Sequence, residues 1–217
     1  KDKELYLSYY RNNAVHFFIP GAVAELALAR IVDKSIEQDR LTLFWAEVDR
    51  VKDYLKFEFF YPKREDFVAQ VEADLNFRYP NWKESIEKGG GKLRKGVSAI
   101  KPMLSVGSFA PYIEAYRVVS RVISQLPADE EFDQRALQGR CLEIGHQLHL
   151  QQRIKLRESI STMMFSNGLK LAKNLGLVDA SQTRDELLKR QQDFTDNLLE
   201  MDKQLQTMRA SAQNRRI

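Results

Sequence analysis

The sequence predicts an all-α protein, and three observations carry that expectation. Apolar residues recur at three- and four-residue steps through most of the chain. Helix-start residues such as Asp39 and the pair Glu65-Asp66 precede those runs. Proline or glycine, at Pro80, Pro127 and Gly176, stands where they end.

Taken in order, the stretch from Asp2 to about Phe18 has helical spacing, and Pro20-Gly21 is expected to interrupt it before a second helix over 22–32. Only Glu25 and Arg30 are charged between Ala22 and Val32, so that second helix should be a buried central element. From Asp39, the residues Leu41, Phe44, Trp45, Val48, Val51 and Leu55 trace one apolar face of an amphipathic helix. An aromatic cluster, 57–61, ends at Pro62, and a helix beginning near Glu65-Asp66 should stop at Pro80. Helices are also expected over about 109–126, 131–150 and 159–175. The run 183–208 reads as an amphipathic, coiled-coil-like helix in need of a partner face.

The stretch 87–101 has a different character. Gly89-Gly90-Gly91, Gly96 and five basic residues without an acid after Glu87 suggest a flexible, positive connector. The expected organisation is therefore an N-terminal helical lobe (1–86), the connector (87–101), and a C-terminal lobe with a long terminal helix (102–217). A weak internal echo of Arg64-Glu65 in Arg157-Glu158 leaves open two related helix–turn–helix units.

Size and composition narrow the function classes. A chain of 217 residues with 43% apolar and 29% charged residues can bury a real core and falls in the soluble globular range. The single cysteine, Cys141, gives no internal disulfide and points to a reducing, cytoplasmic setting. The net charge of +4 lacks the dense basic stripe of a dedicated nucleic-acid binder, yet permits peripheral contact with an anionic membrane. The apolar stretch 12–24, broken by Pro20-Gly21, reads as too short to span a bilayer. The chain begins at Lys1 with neither a Met nor a signal-like leader, and it reads as a fragment.

Candidate chemistry is sparse. A histidine five residues ahead of an aspartate would let the carboxylate orient an imidazole general base. Five residues after His16, His146 and His149 stand Gly21, Gln151 and Ile154, so no catalytic residue is expected. His146 and His149, with Glu143 and Cys141 nearby, lack zinc-helix spacing and read as ordinary helix residues, with no metal. His16, among Phe17, Phe18 and Ile19, reads as a hydrogen-bonded core histidine. Gly89-Gly90-Gly91-Lys92 lacks the Gly-Lys-Ser/Thr ending of a phosphate loop and reads as a mobile surface loop. Loose contact of Lys88, Lys92, Arg94 and Lys95 with phosphate or anionic lipid head groups is the remaining reading there. No cofactor is implied.

The segment Tyr9-Tyr10-Arg11-Asn12-Asn13-Ala14-Val15-His16-Phe17-Phe18-Ile19-Pro20 resembles the one that follows the catalytic domain in bacterial membrane-associated glycerol-3-phosphate acyltransferases. Further support comes, in the family's order, from 47–60, 109–116 and 158–177, so the resemblance extends to about Asp179. It implies a parent enzyme that moves an acyl group from acyl-CoA or acyl carrier protein to glycerol 3-phosphate, the first step of phospholipid synthesis, at the inner face of the cell membrane. The family's catalytic motifs lie upstream, so this segment should be inactive alone and should support or dock on the missing acyltransferase domain. The expected contact residues are Tyr10, Arg11, Asn12, Asn13, His16, Phe17 and Phe18. A helix–turn–helix DNA-binding regulator and an unrelated helical scaffold are the alternatives. Glu65, Asp66, Glu72 and Asp74 on the presumed recognition helix argue against nucleic acid as a partner.

Overall fold

The computed structural model describes residues 2–32, 39–101, 103–126, 132–179 and 182–213, with the side chains of 2–14 and 212–213 outside the description. The helices are α1 (Asp2–Val32), α2 (Arg40–Tyr54), α3 (Arg64–Arg78), α4 (Trp82–Lys88), α5 (Gly90–Ala99), α6 (Ser105–Ile123), α7 (Gln134–Leu150), α8 (Thr162–Asn174) and α9 (Arg184–Gln213). A 3₁₀ turn, Arg157–Ser159, precedes α8. Among the described residues there is no strand. The chain divides into one unit of 1–109 with 204–217 and a second of 110–203.

The first unit is organised around α1. Ala22, Val23, Ala24, Leu26, Ala27 and Leu28 are fully buried, and α2, α3 and α5 pack on this helix. The expected break at Pro20-Gly21 does not occur, because α1 runs through both residues. A proline inside a helix removes the hydrogen bond to the carbonyl four residues earlier. That carbonyl belongs to His16, which is exposed, so water can satisfy it. The uninterrupted helix also corrects the expectation of too short an apolar stretch: 15–32, with mean hydropathy 1.6, is long and apolar enough to cross a bilayer. Yet 67% of this stretch is buried inside the protein, as in a core helix.

Around α1 the amphipathic faces behave as their spacing requires. Asp39 caps α2, accepting from the Leu41 N–H at 2.9 Å, and Phe44, Val48 and Val51 point inward. Phe67, Val71 and Leu75 of α3 do the same. Within 87–101, expected to be a flexible connector, α4 runs to Lys88 and α5 covers Gly90–Ala99. Leu93, Val97 and Ile100 are buried and give α5 an apolar face that outweighs its glycines. The glycine run serves the turn instead: Gly89 joins α4 to α5 at φ +60, where a β-carbon would also meet the Arg40 guanidinium at 2.6 Å.

The second unit buries Ile113, Tyr116 and Val119 of α6, Leu137 and Cys141 of α7, and Phe165 and Leu169 of α8. Burial pushes the Cys141 thiol up to about 12, so it is an inert core residue. Helix α8 ends as its sequence suggests. Gly176, at φ +69, donates to the Lys173 carbonyl, the Leu177 N–H returns to Ala172 at 2.9 Å, and the Leu177 side chain is buried. Arg64-Glu65 and Arg157-Glu158 each follow a helix and an irregular step and precede a helix, but Arg64 opens α3 directly, whereas Arg157 lies in the 3₁₀ turn ahead of α8.

Helix α9 begins with a reciprocal cap, the Thr183 N–H and hydroxyl donating to Glu186 at 3.3 and 2.8 Å. Phe194, Leu198, Met201, Leu205 and Met208 follow at alternating steps of four and three and are all buried. The partner face that this helix needs is therefore supplied by its own chain. Phe194, Leu198 and Met201 join the core of the second unit, and Leu205 and Met208 that of the first.

Candidate functional site

Two buried carboxylates organise the units. In the first, Glu25 is fully buried on α1 and receives Nη1 of Arg78 at 2.6 Å. Its oxygens also accept the Leu104 N–H at 2.9 Å and the Ser105 N–H at 2.7 Å, at the start of α6. Arg78 donates in addition to Asp74 through Nε at 2.8 Å. Burial alone would lower the Arg78 pKa, but its hydrogen bonds to Asp74 and the Glu25 charge outweigh it and hold the guanidinium above its ordinary value. A buried charge needs this complete a set of partners.

In the second unit Glu114, also buried, accepts from the Lys155 and Leu156 N–H groups at 3.3 and 3.0 Å and from the Ser159 hydroxyl at 2.9 Å. It thereby fixes the corner between α7 and α8. Helix α7 ends there with Gln152 at φ +58, its N–H bonded to His149 and the Arg153 N–H bonded to Leu148. This is the same closing geometry as at Gly176, here imposed on a residue with a side chain.

That corner forms one wall of a cavity of about 300 Å³. Arg117, Arg121 and Arg153 are among the residues that line it, with Leu148, Ile154 and Leu198. Ser120 and Thr195 share a hydrogen bond of 2.7 Å between α6 and α9 at its lining. Arg117 is paired with Asp202 at 3.0 Å. This cavity was not foreseen from the sequence. Arg117 and Arg121 are one helical turn apart and so visible as a pair, but Arg153 and α9 reach them only through the fold.

The residues singled out in the sequence are dispersed. Tyr10, Arg11, Asn12 and Asn13 lie in α1, with their side chains outside the described residues. His16 is exposed, which corrects its assignment to the core, and Phe17 beside it is 76% exposed. The two rings lie 4.2 Å apart, and Phe18 is 44% exposed. On α4 and α5, Lys88 and Lys92 both donate to Glu84, at 2.5 and 3.0 Å, whereas Arg94 and Lys95 face solvent. The hydrogen bonds from Lys88 and then Lys92 hold the Glu84 carboxyl down at about 2. His149 shares a 3.0 Å hydrogen bond with the Ile154 carbonyl, and His146 is exposed. Among the described residues no group of three or more His, Cys, Asp or Glu side chains could hold a metal ion.

Comparison with known proteins gives this arrangement a context. A family described as the glycerol-3-phosphate acyltransferase C-terminal region matches residues 1–181. A provisionally named acyltransferase, plsB1, is 27% identical over 209 residues, in Mycobacterium bovis and in two strains of Mycobacterium tuberculosis. The match covers 96% of this chain and 33% of those proteins, so the chain spans about a third of the length of the curated relatives it matches. No solved structure matches it. With 1–181 of its 217 residues matched, the chain belongs to the glycerol-3-phosphate acyltransferase C-terminal region family.

Proposed function

We propose that the chain is the non-catalytic helical region of a glycerol-3-phosphate acyltransferase and docks on that enzyme's catalytic domain. The family match over 1–181 carries this reading, together with relatives about three times as long that are named acyltransferases. The absence of a His-x-x-x-x-Asp sequence from the chain agrees with a supporting role. The parent enzyme would acylate glycerol 3-phosphate from acyl-CoA or acyl carrier protein, and the docking face would include His16, Phe17 and Phe18 with the 10–13 segment before them. Exposed aromatic surface at Phe17 and Phe18 beside the His16 ring has the composition of a stable interface.

At the inner face of the membrane, Arg94 and Lys95, with Lys88 and Lys92 behind them, would meet anionic head groups. The deciding experiment compares turnover of glycerol 3-phosphate with acyl-CoA by this chain alone, by an acyltransferase domain of the same family, and by the two together. The chain alone should be inactive and should bind the catalytic domain in a pulldown. Turnover by the chain alone, or no association, overturns the reading.

A further inference from the structure

We propose that the cavity of the second unit is a binding site for a phosphomonoester carried on a short alkyl chain. It is built from three segments, each contributing a different part. Helix α6 presents Arg117, Ser120, Arg121 and Ser124 at helical steps of three and four, so all four share one face. The corner after α7 adds Arg153 and Ile154, and α9 adds Thr195, Leu198 and Leu199. The volume, about 300 Å³, suits a small head group with part of a chain and lies at the low end of ligand pockets.

The charge arithmetic selects the head group. Arg117 is neutralised by Asp202, but no carboxylate among the described residues pairs with Arg121 or Arg153. On α9, Asp196 accepts from Gln192 at 2.9 Å. Two guanidinium groups without a carboxylate partner among the described residues match the charge of a phosphomonoester, about −1.5 to −2 at neutral pH, better than the single charge of a carboxylate. The Leu148, Ile154, Leu198 and Leu199 side then accounts for the alkyl part, which free phosphate would leave unused.

The position of Arg153 is held at a cost. Gln152 stands at φ +58, where a β-carbon is disfavoured, and the Arg153 N–H closes onto Leu148 at 2.9 Å. Glu114 and His149 pin the residues that follow, with His149 at 3.0 Å from the Ile154 carbonyl. Strained backbone that fixes a ligand-facing side chain is common at binding sites. The inference stands on the geometry of this unit and does not need the acyltransferase reading.

Calorimetric titration of the whole chain with octyl phosphate, octanoate and inorganic phosphate, each below any micelle concentration, tests it. Octyl phosphate should bind at one saturable site, roughly tenfold tighter than octanoate because of the second charge, and roughly tenfold tighter than inorganic phosphate because of the chain. Arg121→Gln and Arg153→Gln, both at exposed positions, should each weaken octyl phosphate roughly tenfold with unchanged circular dichroism. Leu199→Glu, at a side chain 47% exposed, puts a carboxylate into the same cavity and should abolish binding without loss of fold. Equal binding of octyl phosphate and inorganic phosphate, equal binding of octanoate, or wild-type affinity in the arginine variants would each overturn the proposal.

Discussion

Arg78 donates to Glu25 at 2.6 Å across 53 positions of sequence, with side-chain exposures of 3% and 0%. The same carboxylate receives the backbone at Leu104 and Ser105, so this one ion pair ties α1, α3 and the start of α6 together. Removing one partner of a buried pair leaves an uncompensated charge and costs about 3–5 kcal/mol. Glu25→Gln should therefore lose about 3 kcal/mol in urea unfolding, the lower end, because Asp74 still holds Arg78. The double variant Glu25→Gln with Arg78→Met removes both buried charges while an amide oxygen can still accept the Leu104 and Ser105 N–H groups, and it should lose less than the single one. A single-variant loss below about 1 kcal/mol would show that the pair is not a keystone.

Gly21 lies against this pair. A β-carbon there would come within 2.5 Å of Arg78 Nη2 and 2.7 Å of the Asp74 carboxylate. Gly21→Ala should accordingly destabilise by about 1–3 kcal/mol through overpacking. Gly139, inside α7 with nothing within 4 Å of the same position, supplies the contrast. Gly139→Ala should stabilise by about 0.5–1 kcal/mol, since only the helix propensity changes. Thermal melts of the two variants should move in opposite directions.

Where an element's cause is local, the sequence showed it. Asp39 caps α2, Gly176 ends α8, and the inward residues of α2 and α3 follow from their spacing. Two local signals misled because tertiary packing outweighed them. Pro20-Gly21 did not break α1, since the buried run Ala22–Leu28 fixes the helix and the carbonyl freed by Pro20 belongs to an exposed residue, His16. Gly89-Gly90-Gly91 did not make a loose connector, since Leu93 and Val97 bury their face of α5. The arginine cavity was illegible for another reason: Arg121 and Arg153 are 32 positions apart and meet only through the corner that Glu114 holds. The exposure of His16 was missed because its apolar neighbours suggested a core, whereas Phe17 and Phe18 are themselves on the surface.

Gln152 gives a prediction about that corner. It adopts the left-handed closing position that Gly176 fills after α8, with the same pair of returning hydrogen bonds. Left-handed backbone costs a residue with a β-carbon about 1–2 kcal/mol, and glycine avoids that cost while gaining freedom in the unfolded chain. Gln152→Gly should stabilise by about 0.5–1 kcal/mol net. Chemical denaturation showing a lower midpoint would mean that the Gln152 side chain contributes more than its backbone costs.

The docking proposal makes its sharpest prediction at Phe17. Its ring is 76% exposed, so replacing it removes little from the core, while Val15 and Ile19 on the same helix are 7% and 3% exposed and serve as internal controls. Burying a Phe side chain at an interface stabilises by about 1.5–3 kcal/mol, and a carboxylate in its place must be desolvated without a partner. Phe17→Asp should thus weaken association with the catalytic domain at least roughly tenfold and lower the activity of the assembled enzyme, while the melting temperature of this chain stays within about 2 °C. Ile19→Ala should do the reverse, costing about 2–5 kcal/mol of stability with little direct effect on docking. Association measured on both variants, alongside their melts, separates the two roles. If Phe17→Asp binds as tightly as the unaltered chain, this face of α1 is not the contact.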